Sequence, residues 1–253
     1  ESIQSGNTLT VTLDTGDTVL LTAASAGTTL TGTYTVGAGD TSSDLTVSSF
    51  AIGTVEDTAG NAMTSTTVPS SNNIADNSAI VVDTSAPTLS SSSPADDATA
   101  VAVGSNIVLN FSEAVDVESG DIVIYKTSDN SVIETIAVGS GQVTGTGTTQ
   151  ITINPSSDLA SSTEYYVQIA ATGFDDAAGN SYAGITDTTS LSFTTADIVA
   201  PTISSFSSST SDGSYNVGDT INITATASES IQSGNTLTVT LDTGDTVLLT
   251  AAS

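Results

Sequence analysis

The first 25 residues of the chain recur letter for letter as its last 25. Residues 1–25 and 229–253 both read ESIQSGNTLTVTLDTGDTVLLTAAS, and the two copies begin 228 residues apart. Unrelated segments do not stay identical over such a length, so the sequence predicts a tandem array with a 228-residue period. We expect the chain to be a section of that array, starting within one repeat and stopping within the next. Repeated units build length or valency and are poorly suited to forming one active site.

Short stretches in which apolar residues alternate with Thr, Ser or Gly run along the whole chain. Such alternation is typical of strands with one buried face, and β-branched residues suit a pleated sheet. Turn dipeptides such as SG, TG and GN separate the stretches, and no window has a convincing helical pattern. The sequence therefore predicts an all-β fold of tandem Ig-like antiparallel β-sandwiches in an extended array. The predicted strands are 7–15, 17–23, 29–36, 45–52, 106–112, 121–127, 149–155, 164–170, 191–195 and 219–227.

A weaker repeat divides the 228-residue period into two related halves. The linker VVDTSAPT at 81–88 matches TADIVAPT at 195–202, and the prolines Pro87 and Pro201 lie 114 residues apart. The same sequence landmarks follow each linker in the same order, so the repeat contains two related domain types. The predicted segments are 1–86 (the C-terminal part of a first-type domain), 87–200 (a complete second-type domain) and 201–253 (the N-terminal part of the next first-type domain).

Negative charge dominates the composition. The chain has 28 acidic residues and a single Lys, with no Arg and no His, which gives a formal net charge of −27. Such a chain cannot neutralise phosphates, so we exclude nucleic acid as a partner and do not expect binding to an anionic membrane surface. No apolar run approaches the ~20 residues of a membrane span. Asp outnumbers Glu by 21 to 7, and Asp is the residue of turns, caps and calcium sites.

The side chains that most catalytic sites need are missing. Without Cys or His the chain can form neither a disulfide nor a Ser-His-Asp triad, and Lys126 has no evident base partner. Two carboxylates can hydrolyse a glycoside. Such sites usually lie in clefts lined by aromatic residues, however, and this chain has no Trp and few Tyr. We therefore expect no enzymatic activity.

Residues 87–196 resemble a bacterial Ig-like domain of the S-layer and adhesin type. The resemblance rests on the opening PTLSSSSPADDATAV, the strand FSEAVD, the segments NPSSDLASSTEYYVQI and FDDAAGN, and the closing LSFTTAD. The first-type segments are similar to the Ig-like repeats of giant bacterial surface adhesins, through APTISSF, DTAGN and VVDTSAPT. The resemblance implies a secreted or cell-surface array, often stiffened by calcium between its domains.

Acidic residues recur at three matching places around each predicted junction. They are a Glu at the end of the second strand, a (Glu/Asp)-Asp-x-Ala-Gly-Asn loop, and an Asp in the linker before Ala-Pro. In an Ig-like sandwich the two loops share the pole that faces the incoming linker. Crowded acids repel each other, and Ca²⁺ relieves that repulsion by binding about six to eight oxygen ligands. The predicted calcium ligands are Asp83, Glu113, Asp175, Asp176 and Asn180, then Asp197 and Glu229, and the half-site Glu1, Glu56, Asp57 and Asn61.

The loops also have a simpler interpretation as turns. Asp caps local N–H groups, Gly adopts a positive φ, and Asn tolerates one. The interpretation of each loop as a turn without a bound metal therefore remains open at this point.

Three functions remain open as well. The first is a stalk or spacer of a secreted bacterial repeat adhesin, stiffened by calcium. The second is a subunit of an extracellular filament, biofilm matrix fibre or S-layer assembled end to end. In that case 201–253 of one copy would complete 1–86 of another, by strand exchange or within one continuous chain. The third is a carbohydrate- or protein-binding module, which an exposed aromatic or apolar patch on 87–200 would favour. Neighbouring repeats are the partners in the first two.

Overall fold

Two compact units make up the chain, Glu1–Ala196 and Asp197–Ser253. The structure, a computed structural model, describes residues 1–252, so the last residue of the predicted segment 201–253 lies outside the described residues. Strands account for nearly all of the regular structure, which confirms the all-β prediction, while the predicted domain boundaries stay predictions. The strands are β1 (Thr8–Leu13), β2 (Thr18–Thr22), β3 (Val47–Ile52), β4 (Leu89–Ser93), β5 (Ala98–Val101), β6 (Ile107–Val117), β7 (Asp121–Lys126), β8 (Ser131–Ala137), β9 (Val143–Thr144), β10 (Thr148–Ile153), β11 (Glu164–Ile169), β12 (Phe174–Asp175), β13 (Ser192–Thr195), β14 (Ile203–Ser207), β15 (Thr224–Ala227), β16 (Thr236–Thr240) and β17 (Thr246–Thr250).

Strands β4 to β13 form a sandwich of two sheets. One sheet has the order β12-β6-β10-β9, with β4 also paired to β6, and the other has the order β5-β13-β11-β7-β8. The pairs are antiparallel except that β13 runs parallel to β5. Alternation along β6 buries Ile107, Leu109 and Phe111, which join a core cluster with Ile122 and Ile124 of the opposite sheet. Full burial of side chains of this size stabilises the sandwich by about 1.5–3 kcal/mol each.

Strand β6 extends farther than the sequence predicted, and the prediction that Glu113 ends the second strand is wrong. The pairing with β10 gives the reason. Gln150 lies opposite Asn110, whereas Thr148 lies opposite Val115, so β6 carries extra residues between two paired stretches. A bulge of this kind re-aims side chains while pairing resumes beyond it. Glu113 therefore lies in the bulge and not at the end of the strand.

The first-type segment 1–86 contains a smaller antiparallel sheet with the order β2-β1-β3. Its buried residues Val11, Leu13, Val19, Leu45 and Val82 form a second core cluster. These apolar residues come from both ends of the segment, because Val82 lies in the linker that follows it. The linker is therefore anchored in this core.

The predicted strand 29–36 does not form. Its backbone contacts β2 through a single isolated bridge, between Thr22 and Thr31. A Cβ at Gly32 would lie 2.5 Å from the carbonyl oxygen of Leu20, so the chain passes too close to β2 for a side chain at this point. The segment 29–36 therefore packs closely against β2 at Gly32 but forms no regular ladder with it.

One short helix, α1 (Ile74–Asn77), is the only helix among residues 1–252. Asn73 and Asp76 close it with a capping box, in which each side chain accepts a hydrogen bond from the backbone N–H of the other residue. Four residues are too few to show a helical period, so the sequence pattern missed it. No helix in the described chain is long and apolar enough to cross a membrane.

The second unit, Asp197–Ser253, contains two antiparallel pairs, β14 with β15 and β16 with β17. Strand β15 occupies the last four residues of the predicted strand 219–227. Strands β16 and β17 repeat the sequence and the pairing register of β1 and β2, so that Leu237 faces Leu249 as Leu9 faces Leu21.

Candidate metal centre

The linker runs beside strand β6 and carries Asp83 toward it. Two hydrogen bonds fix the linker there: the backbone N–H of Thr88 donates to Ser112 Oγ (3.0 Å), and the backbone N–H of Ser112 donates to the carbonyl oxygen of Thr88 (2.8 Å). Glu113 follows Ser112 in the bulge of β6. The bulge and the linker together bring Glu113 and Asp83 to the same end of the sandwich.

The loop after β12 supplies the third carboxylate. Asp176 Oδ1 accepts hydrogen bonds from the backbone N–H groups of Ala178 and Asn180 (both 2.8 Å), and its Oδ2 accepts one from Asn180 Nδ2 (2.8 Å). Gly179 completes the turn with a φ of 87°, a conformation that costs Gly little. Asn180 Nδ2 also donates to the carbonyl oxygen of Asp83 (3.1 Å), which ties this loop to the linker.

Oxygen atoms of Asp83, Glu113 and Asp176 lie within 4.8 Å of one another. Asp176 is 6% exposed, and the other two are half-buried. The only basic side chain of the protein, Lys126, lies on β7, where it helps to lower the pKa of Asp129. The three carboxylates therefore form a compact set of oxygen donors without a basic side chain among them, a donor set that suits a hard cation.

The pKa values of two of these groups move in opposite directions. Burial raises the pKa of Glu113, and the neighbouring charges of Asp176 and Asp83 raise it further. Burial also raises the pKa of Asp176, but hydrogen bonds from the Asn180 side chain and from the backbone of the turn outweigh it and lower the pKa overall. Hydrogen bonds thus favour the charged form of Asp176, whereas burial and the neighbouring carboxylates disfavour that of Glu113.

Asp175, the other acidic residue of this loop that was predicted as a ligand, is not part of the three-residue cluster. It pairs with Asp116 across the β12–β6 ladder. Its Oδ1 atom is buried and has no hydrogen-bond partner within the described residues. The structure therefore brings together Asp83, Glu113, Asp176 and Asn180 and places Asp175 beside them on the strand.

The loop at 56–61 in the first-type segment has the same internal geometry. Asp57 Oδ1 accepts from the backbone N–H groups of Ala59 and Asn61 (both 2.8 Å), and Asp57 Oδ2 accepts from Asn61 Nδ2 (2.7 Å). The Asn61 hydrogen bonds are the main reason that the pKa of Asp57 falls to about 2, and Glu1 lies in hydrogen-bonding reach of the same carboxylate. The neighbouring Glu56 donates its backbone N–H to Asn7 Oδ1 (2.9 Å).

The remaining predicted pair, Asp197 and Glu229, lies in the second unit and repeats the linker geometry. The backbone N–H of Val199 donates to Asp197 Oδ1 (3.0 Å), as that of Ser85 donates to Asp83 Oδ1 (2.9 Å). Burial raises the pKa of Glu229, and the nearby Asp197 raises it further. Glu229 Oε1 is buried and has no hydrogen-bond partner within the described residues.

Sequence reasoning missed the residues that dock each linker. Thr202 and Ser228 exchange the same two hydrogen bonds as Thr88 and Ser112, at 2.9 and 2.8 Å. The signal was present as a Ser-Glu dipeptide, which occurs in both FSEAV and ASESI. The Ser of this dipeptide forms the hydrogen bonds that fix the linker, and the Glu that follows it is the acidic residue beside the linker.

Comparison with known proteins finds a family similarity in the sandwich. Residues 83–195 match the family model of the bacterial Ig-like domain. Four solved chains match the structure, and one of them is the S-layer protein rSbsC(31-844), with a TM-score of 0.31 and 14% identity. That match covers 65% of this chain and 19% of the S-layer chain, so this chain spans about a fifth of its length. No curated protein matches the sequence.

Proposed function

We propose that this chain, whose residues 83–195 form a bacterial Ig-like domain, is a stalk or spacer segment of a bacterial cell-surface or secreted repeat adhesin. Its role is mechanical: it adds length, and Ca²⁺ stiffens the junctions between its consecutive domains. The 228-residue period supports the role in adding length. The bacterial Ig-like family is a structural one, and this supports a role without catalysis.

One observation carries the calcium part of the proposal. Asp83 belongs to the linker, whereas Glu113 and Asp176 belong to two different parts of the sandwich, and their oxygen atoms lie within 4.8 Å of one another. An ion bound to all three would connect the linker to the sandwich and fix the angle between them. Backbone carbonyls and water complete the coordination of such an ion in other proteins.

Parts of this geometry recur elsewhere in the chain, which supports a site over a simple turn. A turn needs the hydrogen bonds of Asp176 or Asp57, but it does not need a Glu and a linker Asp beside it. Both linkers place an Asp with the same backbone hydrogen bond, and both are followed by the Ser-Glu dipeptide. Three carboxylates in one place, as Asp83, Glu113 and Asp176 are, repel each other unless a cation is bound.

Calcium titration of the full chain, after dialysis against a chelator, tests the proposal. We expect saturable binding and a melting temperature that rises with Ca²⁺. At a free Ca²⁺ concentration of 100 times the Kd, binding stabilises the folded state by about 2.7 kcal/mol. Asp176→Asn should abolish most of this calcium-dependent increase in melting temperature, because it removes one anionic ligand from the cluster.

Asp187→Asn is the matched control. Asp187 also accepts hydrogen bonds from two backbone N–H groups and a nearby hydroxyl, on the loop before β13, but it is not in the cluster. Its substitution should leave the calcium-dependent increase intact, whatever it does to the stability without metal. Equal increases in Asp176→Asn and wild type would exclude this site.

A further inference from the structure

One residue of the linker, Val82, is fixed to the first-type segment. Its side chain is buried in the core cluster of that segment, and its backbone N–H and carbonyl oxygen each form a 2.8 Å hydrogen bond with the backbone of Ser42. Ser42 is buried as well, and its hydroxyl donates to Asp14 Oδ2 (2.6 Å). The linker is therefore held to the first-type segment at the residue just before Asp83.

Thr84 holds the linker to the same segment on the other side of Asp83. The hydroxyl of this half-buried residue accepts a hydrogen bond from the backbone N–H of Gly39 (3.0 Å) and donates one to the carbonyl oxygen of Asp40 (3.1 Å). A single hydroxyl thus joins the linker to two consecutive residues of the first-type segment. Both sequence neighbours of Asp83 are therefore bonded to that segment.

Asp83 itself contacts the sandwich. One of its carboxylate oxygens lies within 4.8 Å of oxygen atoms of Glu113 and Asp176, and its carbonyl oxygen accepts a hydrogen bond from Asn180 Nδ2 (3.1 Å). Consecutive residues of the linker therefore contact different parts of the molecule. Asp83 contacts the sandwich, whereas both of its neighbours contact the first-type segment.

We propose that Thr84 and Ser42 are positioning residues for the candidate metal centre, so that the first-type segment sets the Ca²⁺ affinity of a site whose other two carboxylates belong to the sandwich. This role rests on the proposed function, in which Ca²⁺ is the bound ion. Neither residue belongs to the three-carboxylate cluster, so each acts through the backbone of Asp83. Removal of groups that hold metal ligands in place typically lowers metal affinity about 10–100-fold.

Contacts with the sandwich hold the backbone of Asp83 less directly. One is the hydrogen bond from Asn180 to its carbonyl oxygen. The other is the Thr88–Ser112 pair, which lies five positions farther along the chain. Repulsion between Asp83 and the two other carboxylates opposes both. The contacts of its two neighbours keep Asp83 in place against this repulsion, and a ligand that is already in place costs less free energy to order when the ion binds.

Ion binding and attachment of the linker are coupled in both directions. If attachment of the linker to the first-type segment raises the Ca²⁺ affinity by a given factor, bound Ca²⁺ stabilises that attachment by the same factor. The ion then helps to keep the Val82–Ser42 backbone pair closed, although neither residue is a ligand. Calcium at the edge of the sandwich thus also stabilises a contact within the first-type segment, through Asp83.

Calorimetric calcium titration of the full-length Thr84→Val variant tests this role. Val keeps the shape of Thr but removes both hydrogen bonds of the hydroxyl. The relevant binding step is the one that Asp176→Asn abolishes. Its dissociation constant should rise about tenfold, the lower end of the range for groups that hold metal ligands in place. Thr84→Ser, which restores the hydroxyl, should bind Ca²⁺ as wild type does.

Thr163→Val is the matched control. Thr163 is also half-buried, and its hydroxyl donates to a backbone carbonyl oxygen, that of Ser161 (2.8 Å), on the loop before β11. It belongs neither to the linker nor to the three-carboxylate cluster. The calcium dissociation constant of this variant should equal that of wild type, whatever the substitution does to the melting temperature in chelator.

Amide hydrogen exchange measures the coupling in the reverse direction. In wild type, Ca²⁺ should slow exchange of the Ser42 and Val82 N–H groups by at least the factor that Thr84→Val costs in affinity. In Asp176→Asn the ion should leave this exchange unchanged. A purely structural role of Thr84 would alter the melting temperature in chelator, but neither the dissociation constant nor the protection by Ca²⁺.

The outcomes separate this role from the proposed function. An unchanged dissociation constant in Thr84→Val would overturn the role alone, as would exchange of Ser42 that does not respond to Ca²⁺ in a wild type that binds the ion. Equal losses of affinity in Thr84→Val and Thr163→Val would also overturn it, because they would reflect general destabilisation. A wild type without a binding step that depends on Asp176 would overturn both the role and the proposed function.

Discussion

At the scale of single residues, Glu113 has the least favourable surroundings in the candidate metal centre. It is half-buried and lies next to two other carboxylates. In the presence of chelator we expect Glu113→Gln to raise the melting temperature at neutral pH, because it removes repulsions worth up to about 1 kcal/mol each at this separation in water. In Ca²⁺ the same variant should melt below wild type, because it has lost an anionic ligand. Thermal melts in both buffers check the change of sign.

Glu118→Gln is a suitable control for this reversal. Glu118 follows the end of β6 and belongs to no acidic cluster within residues 1–252. Its substitution should shift both melts equally or not at all. If Glu113→Gln also shifted both melts in the same direction, the carboxylate would have no role in binding Ca²⁺.

The lowered pKa of Asp187 predicts that stability depends on pH even without a bound metal. Hydrogen bonds from the Ser190 side chain and the backbone of Thr189 and Ser190 lower its pKa from 3.8 to about 2. A carboxylate with a lowered folded-state pKa stabilises the fold above its unfolded pKa, and this contribution is lost as the pH falls toward its folded pKa. Between about pH 4 and pH 2, Asp187→Asn should therefore lose less stability than wild type. Melting temperatures measured by circular dichroism across that pH range, in chelator, check this. If the hydrogen bonds contributed nothing, the melting temperatures of wild type and Asp187→Asn would fall in parallel.

At the scale of elements, the two-residue strand β12 joins the candidate metal centre to the core. Phe174 of β12 is fully buried, and its ring lies 5.4 Å from that of Phe111 on β6. Phe174→Ala should lower the free energy of unfolding of the sandwich by about 3–5 kcal/mol, because it leaves a large cavity. It should also weaken Ca²⁺ binding, because Asp176 follows two residues later. Urea denaturation and calcium titration measure the two effects.

A substitution at the exposed edge of the same sandwich is the control for Phe174→Ala. Ile133 on β8 is 44% exposed, so Ile133→Ala should change the unfolding free energy by no more than about 0.5 kcal/mol. Calcium affinity should be unchanged in this variant. A similar loss of unfolding free energy in Phe174→Ala and Ile133→Ala would mean that β12 contributes no more to the core than an edge strand does.

Nine of the ten stretches predicted from alternation coincide with strands, whereas β4, β5, β8, β9, β12 and β14 were not among the predicted stretches. The alternating segment 29–36 packs closely against β2 at Gly32 and pairs with β2 through the Thr22–Thr31 bridge alone, and tertiary packing of this kind is invisible in a sequence pattern. Helix α1 depends on a capping box and not on a period. The position of Glu113 depends on a bulge in β6, which only the pairing partner β10 reveals.

The candidate site was predictable where it followed from the repeat. Matching landmarks predict that Asp83, Glu113 and Asp176 lie at one pole of the sandwich, and the three lie together. What the sequence could not predict is which neighbour of a repeated acid takes part. Asp175 and Asp176 are both acidic, and only the pleat of β12 and the turn after it separate their surroundings.

At the scale of the whole molecule, the distribution of charge links stability to ions in solution. With a net charge of −27 and one basic side chain, repulsion acts throughout the chain. Any salt will reduce this repulsion, so an increase in stability with Ca²⁺ is informative only when it exceeds the effect of ionic strength. Monovalent salt at matched ionic strength and Mg²⁺ separate the two contributions, because Mg²⁺ keeps most of its water and is rarely held by an all-protein cage.

Removal of Ca²⁺ from the whole chain should therefore loosen its junction at Asp83 as well as destabilise it. Without the ion, the linker is held to the sandwich by the Asn180–Asp83 hydrogen bond and the Thr88–Ser112 pair, against the repulsion of three carboxylates. We expect chelation to increase the radius of gyration in X-ray scattering. It should also lower the melting temperature by about 5–10 °C, because ~2.7 kcal/mol of binding energy is lost and 1 kcal/mol corresponds to ~2–4 °C in a protein of this size.

Adding Na⁺ or Mg²⁺ in place of Ca²⁺ should reverse neither the increase in the radius of gyration nor the fall in melting temperature. Full recovery in Na⁺ at matched ionic strength would mean that general screening, and not a bound ion, stiffens the junction.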